Sequence, residues 1–169
     1  MPDLLTHALL GYSIGTLLSF RDEQIRSAQV TLVMAGALSP DLAKIRLLFP
    51  DYIVQAIIGL PFSWEPLHTL GGTVLVVSLG ALLVAPDYRR QAVALIAIGA
   101  ASHHAFDVAL LTATGESYAV FFPLSQYRLP SLDLYLSTDR WPALVSGALA
   151  AALWGVRRYG IEPSSRNRD

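Results

Sequence analysis

Histidine and aspartate side chains that could bind a metal ion recur along this 169-residue sequence. His103 and Asp107 are four residues apart, so on a helix they project from the same face, about one turn from each other. This spacing allows an imidazole and a carboxylate to bind one ion. Because the sequence has no cysteine, the ligands of any metal must be nitrogen and oxygen atoms. We therefore predict a metal site that includes His103 and Asp107.

Three more residues extend this candidate site. His7 lies near the start of the first apolar segment, Asp41 follows the end of the second, and His68 begins the third. If successive segments run in alternate directions, these positions reach the same side of the molecule as His103 and Asp107. Ionisable groups in apolar segments are costly and usually functional. The order of the segments therefore predicts that five ionisable side chains lie at a similar level, on one side of the molecule.

Each added residue also has a simpler interpretation. His7 could be an interfacial histidine bonded to a neighbour or to water. Asp41 follows a Ser-Pro pair and could end one helix and cap the next. His68 could form hydrogen bonds with Thr69 or Glu65. In all these cases the cluster would be a structural hydrogen-bond network that binds no metal.

The neighbour of His103 leaves a second choice open. His104 is three residues before Asp107 and could replace His103 as the ligand. It could instead support a ligand, since metal-binding histidines usually donate their other N–H to an oxygen atom. Asp107 could form only a salt bridge with a histidine, but a carboxylate inside an apolar segment is costly without a cation.

The composition indicates the elements that must position these side chains. Hydrophobic residues make up 53% of the sequence and charged residues 15%, and the mean hydropathy is +0.47. These values are typical of an integral membrane protein. With a net charge of −1 and no basic stripe, nucleic acid is not expected as a partner. We predict an all-α membrane bundle of about five helices, with one domain over residues 1–158 and a polar tail over 159–169.

Apolar stretches give the expected boundaries of the spans. The predicted membrane-spanning helices cover residues 4–20, 25–38, 67–85, 91–113 and 141–155. Residues 42–66 are predicted to form an interfacial or re-entrant segment, and residues 115–140 a long loop at the headgroup region. Because the N-terminus lacks a basic region before its apolar run, we expect it to be retained as a helix.

Arginines between the apolar segments predict the orientation in the cell membrane. Six of them fall on one side if every span crosses once: Arg21, Arg26, Arg89, Arg90, Arg157 and Arg158. By the positive-inside rule this side and the C-terminus are cytoplasmic, while the N-terminus and the candidate site face outward. Lys44, Arg46 and Arg128 lie on the predicted outer side and do not follow the positive-inside rule.

Several short motifs occur in a recognisable order along most of the chain. They are TH at 6–7, GALSPDL at 36–42, HT at 68–69, SHHAFD at 102–107 and FFPLS at 121–125. Together they resemble the membrane-bound metal-dependent hydrolases of bacteria and archaea. The sequence departs from that family at SWEPLH (63–68), where an H-R-x-x-T-H motif is common, and at Ala43, where a second Asp is common.

The resemblance implies a set of site residues and a chemistry. It makes the metal ligands His7, Asp41, His68, His103 and Asp107, choosing His103 over His104. It places Pro123 and Ser125 in a loop that covers the site. Since that family is thought to be distantly similar to zinc-dependent phospholipases C and single-strand nucleases, it also implies phosphoester hydrolysis by analogy.

These expectations define two candidate functions. In the first, a divalent metal, Zn²⁺ before Mn²⁺ or Fe²⁺, activates water, Asp41 or Asp107 acts as a base, and the substrate is a membrane lipid or a related small molecule. In the second, the protein is a non-enzymatic metal or proton transporter or a binding component. Because the inner halves of the spans carry few ionisable groups, the sequence favours a one-sided site over a transport path.

Overall fold

The structure, a computed structural model, describes residues 4–159, so the predicted polar tail lies outside the described residues from position 160 onward. Within that range the α-helices are α1 (Leu4–Ser19), α2 (Ser27–Leu38), α3 (Asp51–Ile58), α4 (Leu70–Leu82), α5 (Arg89–Val108) and α6 (Trp141–Tyr159). Short 3₁₀ helices cover Ser39–Leu47, Glu65–His68 and Pro86–Tyr88. The predicted all-helical fold is confirmed for this part of the chain, with α3 as a sixth helix inside the segment predicted to be interfacial.

The centre of the bundle is the contact between α2 and α5, which depends on two glycines. A Cβ atom on Gly36 would overlap the backbone of Ile96, and one on Gly99 would overlap the carbonyl oxygen of Val33. Glycine therefore allows the two backbones to touch. This contact fixes how the last turns of α5 lie relative to Ala37, near the end of α2.

On the other side of α2, α1 packs equally closely, and its far side contacts α6. A Cβ atom on Gly11 would lie 2.9 Å from both the Cα of Met34 and the Cβ of Ala37. The first turn of α1 is thereby held beside the last turns of α2 and α5. His7, in that turn, is fully buried.

Two tight turns shape the remaining wall of the site. α2 ends where the Ser39 hydroxyl donates to the Gly36 carbonyl over 2.8 Å, and Pro40 lies in the first turn of the following 3₁₀ helix. The 3₁₀ helix at 65–68 folds back on α4 so closely that a Cβ on Gly72 would overlap Leu67. These turns bring Asp41 and His68, which lie far apart in sequence, to the same end of the bundle.

The segment between α5 and α6 was predicted to be a long loop, and it contains no helix within the described residues. Its backbone is nevertheless held by hydrogen bonds to the start of α4. The first amides of α4 donate to it, from Leu70 to the Val120 carbonyl over 2.7 Å and from Gly71 to the Phe122 carbonyl over 2.9 Å. These bonds use N–H groups that a helix start leaves without intrahelical acceptors.

The exterior carries many large apolar side chains. Leu47, Ile57 and Leu83 are 78%, 78% and 90% exposed. Exposed apolar surface on this scale is typical of contact with lipid or another protein. Between residues 4 and 159, however, no single helix combines the length and the apolar character needed to cross a bilayer, so the five predicted spans are not confirmed.

Candidate metal centre

The predicted pair on α5 projects into the interior of the bundle. His103 is fully buried and Asp107 is 5% exposed. Nε2 of His103 lies 3.4 Å from Oδ2 of Asp107. The four-residue spacing therefore places the imidazole and the carboxylate side by side, one turn apart on the same helix face.

Two more imidazoles reach the Asp107 carboxylate from other elements. Nε2 of His7, on α1, lies 3.3 Å from Oδ1 of Asp107, and Nε2 of His68 lies 2.8 Å from Oδ2. The ring of His7 stacks on that of His103, with 3.8 Å between their centroids. Asp107 is thus surrounded by three imidazoles.

Asp41 completes the cluster from the 3₁₀ helix that follows α2. Its carboxylate is buried, and Oδ2 accepts a hydrogen bond from Nζ of Lys44 over 2.7 Å. Ligand atoms of Asp41, His68 and His103 all lie within 4.8 Å of one another, and so do those of His7, His103 and Asp107. The five residues predicted as ligands therefore form one cluster, in which His103 belongs to both groups. Their binding of a metal stays a prediction.

Backbone carbonyls orient two of the imidazoles. Nδ1 of His103 lies 2.8 Å from the Ala37 oxygen, and Nδ1 of His68 lies 3.0 Å from the Pro40 oxygen. Because a carbonyl only accepts hydrogen bonds, each Nδ1 must carry the hydrogen. In a neutral ring Nε2 then presents a lone pair to the cluster, which is the usual arrangement of a metal-binding histidine.

Hydrogen bonding in the cluster is incomplete. Among the described residues, six buried side-chain nitrogen or oxygen atoms form no well-aligned hydrogen bond, and one is Oγ1 of Thr16. The other five belong to the cluster: Nδ1 and Nε2 of His7, Oδ1 of Asp41, Nε2 of His103 and Oδ1 of Asp107. The contacts of His7 and His103 with Asp107, at 3.3 and 3.4 Å, are close but lack hydrogen-bond geometry. A buried polar atom without a partner costs about 1–3 kcal/mol. Nitrogen and oxygen atoms arranged in this way fit the coordination of a divalent cation.

His104 has a different role from its neighbour. Its Nε2 lies 2.7 Å from the hydroxyl oxygen of Thr73, and its Nδ1 lies 2.6 Å from the Tyr118 hydroxyl. Both nitrogens are therefore engaged away from the cluster. Burial, with a smaller contribution from the charge of Asp107, raises the pKa of Tyr118 well above its ordinary value. The protonated hydroxyl can donate to His104.

A cavity of about 470 Å³ opens beside the cluster, and His68 is the cluster residue that lines it. His68 and Tyr118 form part of its inner wall, and its charged lining residues are Lys44, Arg46, Glu65 and Arg128. Tyr118, Arg46 and Arg128 were not predicted from the sequence as site residues. The only signal was that the two arginines ran against the charge bias used for orientation.

The other loop residues considered from the sequence lie farther out. Pro123 packs beside Gly71, where a Cβ atom would be 2.7 Å from Cδ of the proline. Ser125 is exposed and accepts a hydrogen bond from the Tyr127 amide. The neighbouring Phe122 is the residue of this motif that lines the cavity. Three exposed acids lie outside the cavity lining: Glu116, Asp133 and Asp139.

An all-helical bundle with an apolar exterior and a buried histidine–aspartate cluster defines a class of helical protein with a candidate metal centre. The chain belongs to the YdjM inner membrane protein family, whose model matches residues 1–164. No curated protein and no solved structure matches the chain significantly. Family membership confirms the predicted membrane location. The similarity to hydrolases and nucleases and the predicted orientation are not confirmed.

Proposed function

We propose that this chain is a membrane-associated, metal-dependent hydrolase that acts on a phosphoester or lipid-like substrate at the outer membrane interface. The observation that carries the proposal is the set of five buried nitrogen and oxygen atoms in the cluster that form no well-aligned hydrogen bond, adjacent to a cavity open to the surface. A purely structural network would be expected to pair such atoms. A divalent cation would satisfy them together.

The residues that would hold the metal are those that converge around Asp107. His7, Asp41, His68, His103 and Asp107 offer imidazole nitrogens and carboxylate oxygens. This donor set suits Zn²⁺, and Mn²⁺ or Fe²⁺ would also be accepted. When bound, the ion supplies Lewis-acid activation of water and of an ester oxygen.

The two aspartates have distinct surroundings. Asp107 faces three imidazoles, so its role is to hold and orient them. Asp41 has one oxygen bound to Lys44 and the other unpaired. We assign to this second oxygen the role of general base, which accepts a proton from the attacking water.

The close contact between His68 and Asp107 also supports a cation. With its hydrogen on Nδ1, a neutral His68 places the Nε2 lone pair 2.8 Å from a carboxylate oxygen. Two acceptors at that distance repel each other unless a second proton or a metal ion lies between them. A divalent cation held by His68 and Asp107 would remove the repulsion.

Metal analysis by plasma mass spectrometry tests the proposal on detergent-purified protein. We expect near-stoichiometric zinc or manganese in the wild type and its loss in His103→Ala/Asp107→Asn. The matched control, Glu116→Gln/Asp139→Asn, alters two exposed acids outside the cavity and should retain the metal. Circular dichroism would show that both variants keep their helices.

Activity toward bis(p-nitrophenyl) phosphate and short-chain phospholipids then separates the candidates. Hydrolysis by the wild type and control, but not by Asp41→Asn, would support the enzyme. Stoichiometric metal without hydrolysis of any phosphoester would favour a binding component. A wild type that holds no metal after reconstitution would refute the hydrolase and leave a structural polar cluster.

A further inference from the structure

The cavity beside the candidate metal centre has an excess of positive charge. Lys44, Arg46 and Arg128 line it, and among the described residues Glu65 is the only acidic one in its lining. Lys44 is already bound to Asp41. Arg46 and Arg128 are exposed and belong to different segments, the 3₁₀ helix at 39–47 and the loop before α6. The fold therefore brings two guanidinium groups to one opening.

An apolar surface begins directly beside this opening. Leu47, Leu48 and Phe49 follow Arg46 in the chain and are 78%, 78% and 54% exposed. The next helix, α3, has no buried residue. A cationic cavity bordered by exposed apolar side chains matches a ligand that has an anionic head and a hydrocarbon part.

We infer that Arg46 and Arg128 form a binding site for the phosphate headgroup of an anionic amphiphile. Guanidinium groups bind phosphate oxygens through paired, charge-assisted hydrogen bonds. The hydrocarbon part of the ligand lies along Leu47–Phe49, and the phosphate enters the cavity near His68. The inference rests on the proposed function in one respect: this amphiphile is the substrate of the proposed hydrolysis.

Isothermal titration calorimetry in a neutral detergent tests this site with three probes. Dihexanoyl phosphatidylglycerol has the anionic head and chains, glycerophosphoglycerol has the head alone, and dihexanoyl phosphatidylcholine has chains with a zwitterionic head. We expect the first probe to bind most tightly. Arg46→Gln/Arg128→Gln should weaken its binding by about tenfold or more, since each lost charge-assisted contact has a large effect.

Two further variants separate the head from the chains. Leu47→Ser/Leu48→Ser should weaken binding of dihexanoyl phosphatidylglycerol but not of glycerophosphoglycerol. The matched control, Arg21→Gln/Arg90→Gln, removes two exposed arginines, one just after α1 and one in the first turn of α5, and should bind like the wild type. Arg90 is roughly 20 Å along α5 from His103.

The outcomes distinguish this site from the metal centre. Equal binding by the wild type and Arg46→Gln/Arg128→Gln would overturn the inference, even if the protein holds metal. Equal affinity for glycerophosphoglycerol and dihexanoyl phosphatidylglycerol would also overturn it, because the ligand would then be a free phosphoester. Arginine-dependent binding to a preparation shown to lack metal would support the site while refuting the proposed hydrolase.

Discussion

The candidate metal centre is built by two regions that hold their side chains in different ways. α1 supplies His7 and α5 supplies His103 and Asp107, and both helices pack closely on α2. The turns after α2 and before α4 supply Asp41 and His68. In each region an imidazole Nδ1 donates to a carbonyl, from His103 to Ala37 and from His68 to Pro40.

The difference lies in what fixes each carbonyl. Ala37 is a fully buried residue of α2, held where that helix meets α5 at Gly36 and Gly99. Pro40 belongs to a 3₁₀ helix whose largest single contact is with the short 3₁₀ helix at 65–68. Helix packing thus sets one half of the cluster, and hydrogen-bonded connections set the other half and the cavity. Disrupting the helix contact should therefore affect stability and the site together, while changes in the connections should affect the site more than stability.

Gly99→Ala should have the largest effect, because its Cβ would overlap the carbonyl oxygen of Val33. Overpacking a tight contact costs about 1–3 kcal/mol, and we expect a loss near 3 kcal/mol in the free energy of unfolding. Separation of α2 from α5 should also move His103 away from Ala37 and weaken metal binding. Helicity measured during titration with a denaturing detergent, and metal content of the folded fraction, test both effects.

Gly155→Ala is the matched control for this change. Gly155 is also in a helix, but a Cβ there would meet nothing within 4 Å. Alanine at an open helical position stabilises by up to about 1 kcal/mol relative to glycine. Similar destabilisation by both substitutions would show that the α2–α5 contact tolerates an added methyl group as well as an open helix surface does.

Tyr118→Phe probes the connecting region and should have an intermediate effect. It removes the hydroxyl that contacts Nδ1 of His104 over 2.6 Å, a bond worth about 1 kcal/mol. Because the ring remains and α2–α5 is untouched, we expect the stability loss to stay near that value. The ring of His104 lies edge-on to that of the candidate ligand His68, with 6.1 Å between their centroids, so a displaced His104 should disturb the site. Loss of residues that support a metal site typically lowers affinity about 10–100-fold. Competition with a chromogenic zinc chelator would measure the affinity, which should fall by about tenfold.

Tyr127→Phe is the control for Tyr118→Phe, since Tyr127 is 63% exposed and is not among the cavity residues. Its stability and zinc affinity should match those of the wild type. A Tyr118→Phe protein with unchanged zinc affinity would contradict a link from the loop through His104 to the cluster.

The two regions also differ in how much of them the sequence predicts. His103 and Asp107 follow from helical spacing, and the glycine-rich apolar segments indicate close helix packing. The roles of His104, Tyr118 and Arg128 depend on where a long loop returns to the start of α4, which hydrophobic periodicity does not encode. Asp41 and His68 were found because they flank apolar segments. The ion pair of Asp41 with Lys44 is local, three residues apart in one 3₁₀ helix. The contact of His68 with Pro40, however, depends on tight turns between elements distant in sequence.

Glu65→Gln should have the smallest effect. It tests whether the charge of the cavity can be changed without affecting the stability of the bundle or the metal content of the cluster. Glu65 is exposed and opposes the charge of Arg46 and Arg128 in the cavity lining. Exposed charge pairs contribute about 0.2–1 kcal/mol and are screened by salt. We therefore expect dihexanoyl phosphatidylglycerol to bind a few-fold more tightly at low salt, with no change in stability or metal content. The gain should shrink as salt is raised, whereas Glu23→Gln, at an exposed position in the turn after α1, should show no gain. If Glu65→Gln binds the lipid more weakly, Glu65 contacts the ligand directly, and the cavity does not act as a simple cationic surface.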